Sequence, residues 1–371
     1  AAPGGGTALS RAVENDHADC VKLLLEHGAD PTQKQTNGNS LLHVAVNSTA
    51  TQCLVLLCNA NTPINATNDE GDTALTLAAA GGHKEAVSIL LQHGADVNII
   101  AKDSDSPATY YAIRHESKDI LEMLIQAGAD VNYRFSDGTT LLHNAAQQSN
   151  IEILEYLVAQ GLDVEATALN GDTPLQYAAG QGAFYNVKWL LSKGANPHTI
   201  NQAGENLFLT AVGTGNVKLL KFLVALGVDP HHVDKQNNTA LHVAAAFTYS
   251  EETVTYLLQM GFDPNAATTE GTTPIMLANN SRIFDTLLKH GANLHARDSK
   301  GRTALHYAAI EERPGLYSDM IKAGADPEAK DNDGMTPYDL AKQEQKKREE
   351  KMYADQENAP SMRSIIRRKK F

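Results

Sequence analysis

Long apolar runs are missing from this sequence. No stretch approaches the ~20 consecutive apolar residues that cross a bilayer, so no transmembrane helix is expected. No charged-then-apolar leader opens the chain, so a classical secretory signal is not expected. The first residue is Ala1 rather than Met and falls part-way through a motif; the expectation is a trimmed natural start, with any targeting signals lost alongside it. Cysteine is scarce as well. Cys20, Cys53 and Cys58 are an odd, sparse set, which argues against a disulfide framework and for a reducing compartment. Positive charge is short in the body. Residues 342–371 hold ten Lys/Arg against five Asp/Glu, net +5, which leaves −18 for residues 1–341. A body of that sign repels phosphates, so broad nucleic-acid binding by it is not expected.

With 371 residues the chain is too long for one compact core. What it has instead is a period. "GDTPLQYAA" at 171–179 returns as "GDTALTLAA" at 71–79 and "GRTALHYAA" at 301–309. Equivalent turns begin at Gly5, Gly38, Gly71, Asp105, Gly138, Gly171, Gly204, Asn237, Gly271, Gly301 and Gly334. Their spacings are 33, 33, 34, 33, 33, 33, 33, 34, 30 and 33, and every copy has Ala seven places on. A fixed period of this length means stacked supersecondary units.

Each unit can be built from its parts. Gly, or Asn237, permits a tight turn with positive φ. A hydroxyl two places on, as at Thr73 or Thr173, can cap a helix start, and Pro174, Pro274 and Pro337 fit the first helical position. A short helix follows. A second helix ends in a pair such as Leu90–Leu91, and a Gly such as Gly94, or Asn61 in copy two, closes it as a left-handed C-cap.

The G-x-T-[AP]-L-[H] openings, with His43, His143, His242 and His306, and the LL-x-x-GAD closings resemble the ankyrin repeat over about residues 5–358. The resemblance implies an all-α fold: a solenoid of stacked helix–turn–helix units with projecting β-hairpin fingers. About eleven repeats then fill residues 1–358, the first and last acting as caps, and 359–371 is a basic flexible tail. Single units expose apolar surface, so stability is shared between neighbours in one continuous stack. Arg11 replaces an inner Val or Tyr and suits a solvent-facing end. The last copy's second helix, "KQEQKKREEKMYADQ", reads as a polar cap with only Met352 and Tyr353 in core register.

Three copies depart from the period. Copy four, "DSDSPATYYAIRH", lacks the turn Gly and carries one extra residue. With the insertion in the turn, Thr109 falls at a Leu site; with it in the helix, Ser106–Pro107 makes a cap pair. Copy eight has an extra residue in "AAAFTYSEET", and copy nine has lost three around "ANNSRIFDT".

No constellation of catalytic residues stands out. "GQG" at 180–182 and "GTG" at 213–215 lie in inter-helix loops rather than between a strand and a helix, as a phosphate cradle requires. In the resemblance His43, His143, His242 and His306 brace the turn. No Cys or carboxylate set at zinc spacing accompanies His198, His231 and His232, so no metal or other cofactor is read. Cys20, Cys53 and Cys58 fall in core register of second helices, as does Trp189, and read as buried apolar residues.

What remains is surface. The family's partner usually meets the hairpin tips and the inner face of the first helices. The tips include Glu70, Asp72, Asp137, Asn170, Asp172 and Glu205, an acidic and amide stripe that favours a basic partner segment. Tyr133, Arg134 and Phe135 stand in a finger where small or polar residues are usual; either they anchor a partner or they pack on the neighbouring finger. Phe247 and Tyr249 are a second aromatic pair. The tail "SMRSIIRRKKF" suits nuclear import, anionic membrane contact or a solvated end. The expected function is a monomeric, non-enzymatic, protein-binding scaffold or adaptor in the cytoplasm or nucleus. A targeting arm of a larger enzyme or channel and a secreted bacterial effector stay open beside it.

Overall fold

The computed structural model describes residues 6–101 and 105–358. The chain divides into two compact units, residues 1–199 and 200–371. The first unit holds six helix pairs, each a first helix of six or seven residues and a second of nine, from Ala8–Glu14 with Ala18–Glu26 to Pro174–Gly180 with Phe184–Ser192. The second unit holds four pairs, from Leu207–Val212 with Val217–Ala225 to Ala304–Ile310 with Pro314–Lys322, and the helix Pro337–Asn358. Within each unit, first helices pack on first helices of the next repeat and second on second. Among the described residues no strand forms; isolated antiparallel bridges such as Lys34 with Ser40 and Arg134 with Thr140 pin the fingers.

Such short helices cannot stand alone in water, so caps and neighbours decide them. Thr73 Oγ1 accepts from Thr76 N at 3.1 Å and Thr173 Oγ1 from Gln176 N at 3.4 Å, with Pro174 at the first position of its helix. Where His follows, the imidazole does two jobs. Ser40 N donates to His43 Nδ1 at 3.2 Å, and His43 Nε2–H donates to the Asp72 carbonyl of the next finger at 2.9 Å. His143, His242 and His306 repeat this geometry onto Asp172, Thr272 and Met335. Each ring is buried, which lowers its pKa, to about 4 for His143. The turn glycines are held by two demands. Gly38 has φ +77°, and a Cβ there would stand 2.6 Å from Asp69 N, the donor that reaches back to Asn37 O.

The core is a row of small and branched apolar residues. Leu75, Ala78, Ala79, Val87 and Leu90 of repeat three are all about 1% exposed or less, and Leu175, Ala178, Ala179, Val187 and Leu190 of repeat six present the same set. The alanines let neighbouring first helices approach.

The irregular copies resolve as follows. Asn98 and Asn132 occupy the same place 34 residues apart, each donating its N–H to Asp96 or Asp130, whereas helices Ala108–Arg114 and Leu141–Ala146 start 33 apart. The extra residue of repeat four therefore lies in the finger, and Thr109 takes the place of Leu75 and Leu142. Pro107 stands at the N-cap and offers no side-chain bond. In repeat nine the first helix shrinks to Pro274–Leu277, and Asn279 Nδ2 spans the gap by donating to Ala246 O at 3.2 Å and Thr248 O at 2.9 Å.

Five expectations need correction. Cys53 is buried, but its counterpart Cys20 is exposed, because the helix Ala18–Glu26 that covers Cys53 has no equivalent helix over its own face among the described residues. Cys58 and Trp189 are only half-buried; Trp189 Nε1–H reaches Glu155 Oε1 at 3.1 Å. The last repeat has no helix–turn–helix. Its helix runs unbroken through Asn358, since "AKQEQKKREE" offers neither a turn residue nor an apolar face to fold back. Met352 is accordingly 50% exposed rather than in a core. The tail 359–371 lies outside the described residues.

Candidate protein-binding surface

The fingers of adjacent repeats are joined tip to tip by single backbone bonds. Leu169 N donates to Asp137 O at 2.9 Å, Lys235 N to Ala203 O at 3.0 Å, Thr269 N to Gln236 O at 2.9 Å and Ser299 N to Glu270 O at 2.7 Å. These bonds set the tip side chains in a row within each unit. Glu70, Asp137 and Asn170 are exposed, while Asp72 and Asp172 are half-buried at the roots of their fingers. The two roots are ordered differently: Asp72 N donates to Asn68 Oδ1, and Asn170 Nδ2 donates to Asp172 Oδ2 at 2.6 Å.

Tyr133 and Phe135 turn inward toward repeat four. The Tyr133 hydroxyl donates to Asp105 Oδ1 at 2.7 Å, Ser136 N donates to Asp105 Oδ2 at 3.0 Å, and the Tyr133 and Phe135 rings meet edge to face 5.0 Å apart. Phe135 also meets Tyr110 at 5.4 Å. Burial and the Asp105 carboxylate push the Tyr133 phenol up to about 12. Arg134 spends one guanidinium nitrogen on Gly138 O and Thr167 O, bracing its own finger to the next. Asp105, at φ +47° where most copies have Gly and repeat eight has Asn237, receives through its side chain the Ser136 N bond whose counterpart, Leu169 N, goes to a finger carbonyl.

In the second unit a groove of about 470 Å³ opens along the first helices of repeats seven and eight. Glu205 and Asp234 stand at its finger end, Leu209, Val243 and Leu277 line it, and Phe247 closes the far end. Phe247 is 70% exposed and neighbouring Tyr249 81%, because the extra residue of repeat eight lengthens the helix Ala240–Phe247 and leaves both rings without a covering element. Asp234 Oδ1 accepts from Gln236 N and Asn238 N, and Oδ2 from Asn238 Nδ2. Sequence reading missed Asp234 as part of the surface. Its signal was the four-residue interval to Asn238, which repeats that of Asn68 and Asp72.

The histidines read as a set divide by contact. His231 stacks on Phe262 at 4.5 Å, and His232 Nε2–H donates to Gly204 O at 2.7 Å. Among the described residues no group of three or more His, Cys, Asp or Glu is placed to hold a metal ion, and no helix is long and apolar enough to cross a membrane. Burial raises the thiols of Cys53 and Cys58, to about 12 and about 11, so both stay protonated and unreactive at neutral pH.

A family model described as ankyrin repeats, three copies, matches residues 2–68, 42–135, 111–201, 186–268, 207–298 and 250–331. The mouse B-cell lymphoma 3 protein homolog is 29% identical over 144 residues, 38% of this chain and 32% of that protein. The human B-cell lymphoma 3 protein is 32% identical over the same length and shares. Human transient receptor potential cation channel subfamily A member 1 is 36% identical over 92 residues, 24% of this chain and 8% of that protein. The chain spans a third or less of the curated relatives it matches. Among solved structures, the ankyrin repeat domain of Bcl-3, a member of the IκB protein family, is similar in fold, with a TM-score of 0.51 and 23% identity over 59% of this chain and 99% of that one. Repeats of this kind are in general protein–protein interaction modules. The family model covers most of the sequence, and the chain belongs to the ankyrin-repeat family.

Proposed function

We propose that this chain is a non-enzymatic scaffold or adaptor: residues 1–358 bind a protein partner on the finger tips and first-helix faces, and residues 359–371 form a basic tail. The observation that carries the reading is the open groove of repeats seven and eight with Phe247 and Tyr249 standing exposed beside it. Exposed aromatics at the rim of an apolar groove lose water on docking and act as anchors, and fingers held by backbone bonds lose little entropy when a partner arrives. The acidic body favours a basic segment in that partner and disfavours nucleic acid. We place the working protein in the cytoplasm or nucleus, as a monomer.

Affinity capture with the whole chain as bait tests this. Phe247→Ala with Tyr249→Ala should release a partner that wild type retains. Retention by the double variant would remove this groove from the account. The Tyr133→Ala, Phe135→Ala pair tests the first unit, with urea denaturation alongside because both rings also pack on repeat four.

A second reading, the targeting arm of a larger enzyme, channel or secreted effector, is favoured by one observation: the similarity to a short stretch of a human cation channel. The full-length reading frame decides it. A catalytic or pore domain joined to these repeats would make binding here serve localisation.

A further inference from the structure

The groove of repeats seven and eight has two chemically distinct ends, and their separation restricts what fits between them. From the geometry we infer that it takes an extended segment of a partner protein carrying a Lys or Arg three or four residues from a bulky apolar side chain, with the cation at the finger end. The inference rests on the protein-binding reading above and adds the chemistry, spacing and direction of the occupant.

The argument starts from charge. Among the described residues Asp234 accepts from the neutral donors Gln236 N, Asn238 N and Asn238 Nδ2, and these hydrogen bonds order the carboxylate without neutralising it. Glu205 stands with it at the same end, its Oε2 receiving Asn201 Nδ2 at 2.8 Å. His242, the ring nearest to both along the groove, is kept neutral by burial, so it does not cancel their charge. At the other end the walls are apolar. Phe247 is 70% exposed, and Gly213 across from it contributes no side chain: a Cβ placed there would stand 3.6 Å from Phe247 Cβ in ordinary contact. The wall facing the stem of Phe247 is therefore bare backbone, and the exposed ring itself is the apolar surface on offer.

Length then ties residue spacing to conformation. The helix Ala240–Phe247 has eight residues and spans about 12 Å from the acidic end to the aromatic end. An extended chain advances about 3.3 Å per residue and covers that distance in three to four positions. A helical occupant would need eight, so the number of residues between the cation and the apolar side chain tells the two conformations apart.

Twelve-residue Gly/Ser peptides with one Arg and one Phe two, four or eight positions apart are titrated into the full chain, with labelled Leu and Val methyls followed by NMR. The four-residue spacing is expected to bind at least about fivefold tighter than the other two and to shift the methyls of Leu209 and Val243. Phe247→Ala and Glu205→Arg should each weaken it about tenfold. A peptide with Glu in place of Arg should regain binding on Glu205→Arg. Equal affinity for all spacings, tightest binding at eight, or shifts confined to other repeats would overturn the inference. If no peptide binds while a captured partner still depends on Phe247, the spacing rule falls and the binding surface stands. If the partner is also indifferent to Phe247, both fall.

Discussion

Tyr133 and Asp105 are bonded across a repeat boundary: the phenol of finger five donates at 2.7 Å to the carboxylate in the turn of repeat four. That turn lacks glycine, and its Asp105 also receives Ser136 N. The Tyr133 hydroxyl also lies 3.3 Å from the Asp105 carbonyl, so the phenol ties finger five to both the side chain and the backbone of Asp105. Tyr133→Phe should therefore lower stability by about 1 kcal/mol, and Asp105→Ala by more, because Ser136 N loses its partner too. Urea denaturation checks both. Wild-type stability in Tyr133→Phe would mean the bond is idle.

Thr109 occupies a leucine place. It is 1% exposed, its Oγ1 has no hydrogen-bond partner among the described residues, and it borders a cavity of about 210 Å³ lined by Val97, Ile100, Pro107 and Ala129 together with Asn98, Asp130 and Tyr133. A buried hydroxyl without a partner costs about 1–3 kcal/mol, and the space beside it admits the larger side chain. Thr109→Leu should raise stability by about 1–2 kcal/mol, read as a higher urea midpoint at unchanged slope. A lower midpoint would show that the cavity does not accept the extra carbons.

The His braces predict an acid response. Nδ1 accepts from a backbone N–H in each, so the folded chain needs the neutral ring, and burial lowers all four pKa values. Below the ordinary value of 6.5 the unfolded chain binds protons that the folded chain refuses. Stability is thus fully present above pH 6.5 and falls as pH drops toward 4, where His143 alone accounts for a loss on the order of 3 kcal/mol. His143→Gln, which copies the Gln176 cap of repeat six, should flatten part of this slope in denaturation curves at pH 7.5, 6 and 5. An unchanged slope would contradict the assignment.

Asn279 carries the shortened repeat nine. Its amide satisfies two carbonyls of repeat eight, as Asn186 does for Ala146 and Gln148 in the first unit. Asn279→Ala should cost about 2 kcal/mol and speed hydrogen exchange in the loop beside Phe247. Exchange unchanged there would mean the loop is held by something else.

These residues mark where sequence reading stopped. The period fixes helix starts, caps and turn glycines because each obeys a local rule: a hydroxyl before a helix, a glycine at positive φ. Thr109, Asn279 and Asp105 obey no local rule. Asn279 and Asp105 take their roles from contacts about thirty residues away, which a pattern within one repeat cannot encode, and Thr109 takes its place from where the extra residue of repeat four is accommodated. The same holds for Cys20, whose exposure depends on a neighbouring helix rather than its own register, and for Tyr133, whose aromatic character alone did not separate packing from binding. Phe247 was visible as an oddity, but the groove beside it needed Asp234 and Gly213 to be placed together.

The central claim is that the finger and first-helix faces, above all those of repeats seven and eight, hold the partner. Hydrogen–deuterium exchange of the whole chain with and without a captured partner tests it most directly. The account predicts protection at the tips around Glu205 and Asn238 and along Leu207–Val212 and Ala240–Phe247. Protection confined to the second helices, with these segments unchanged, would contradict it.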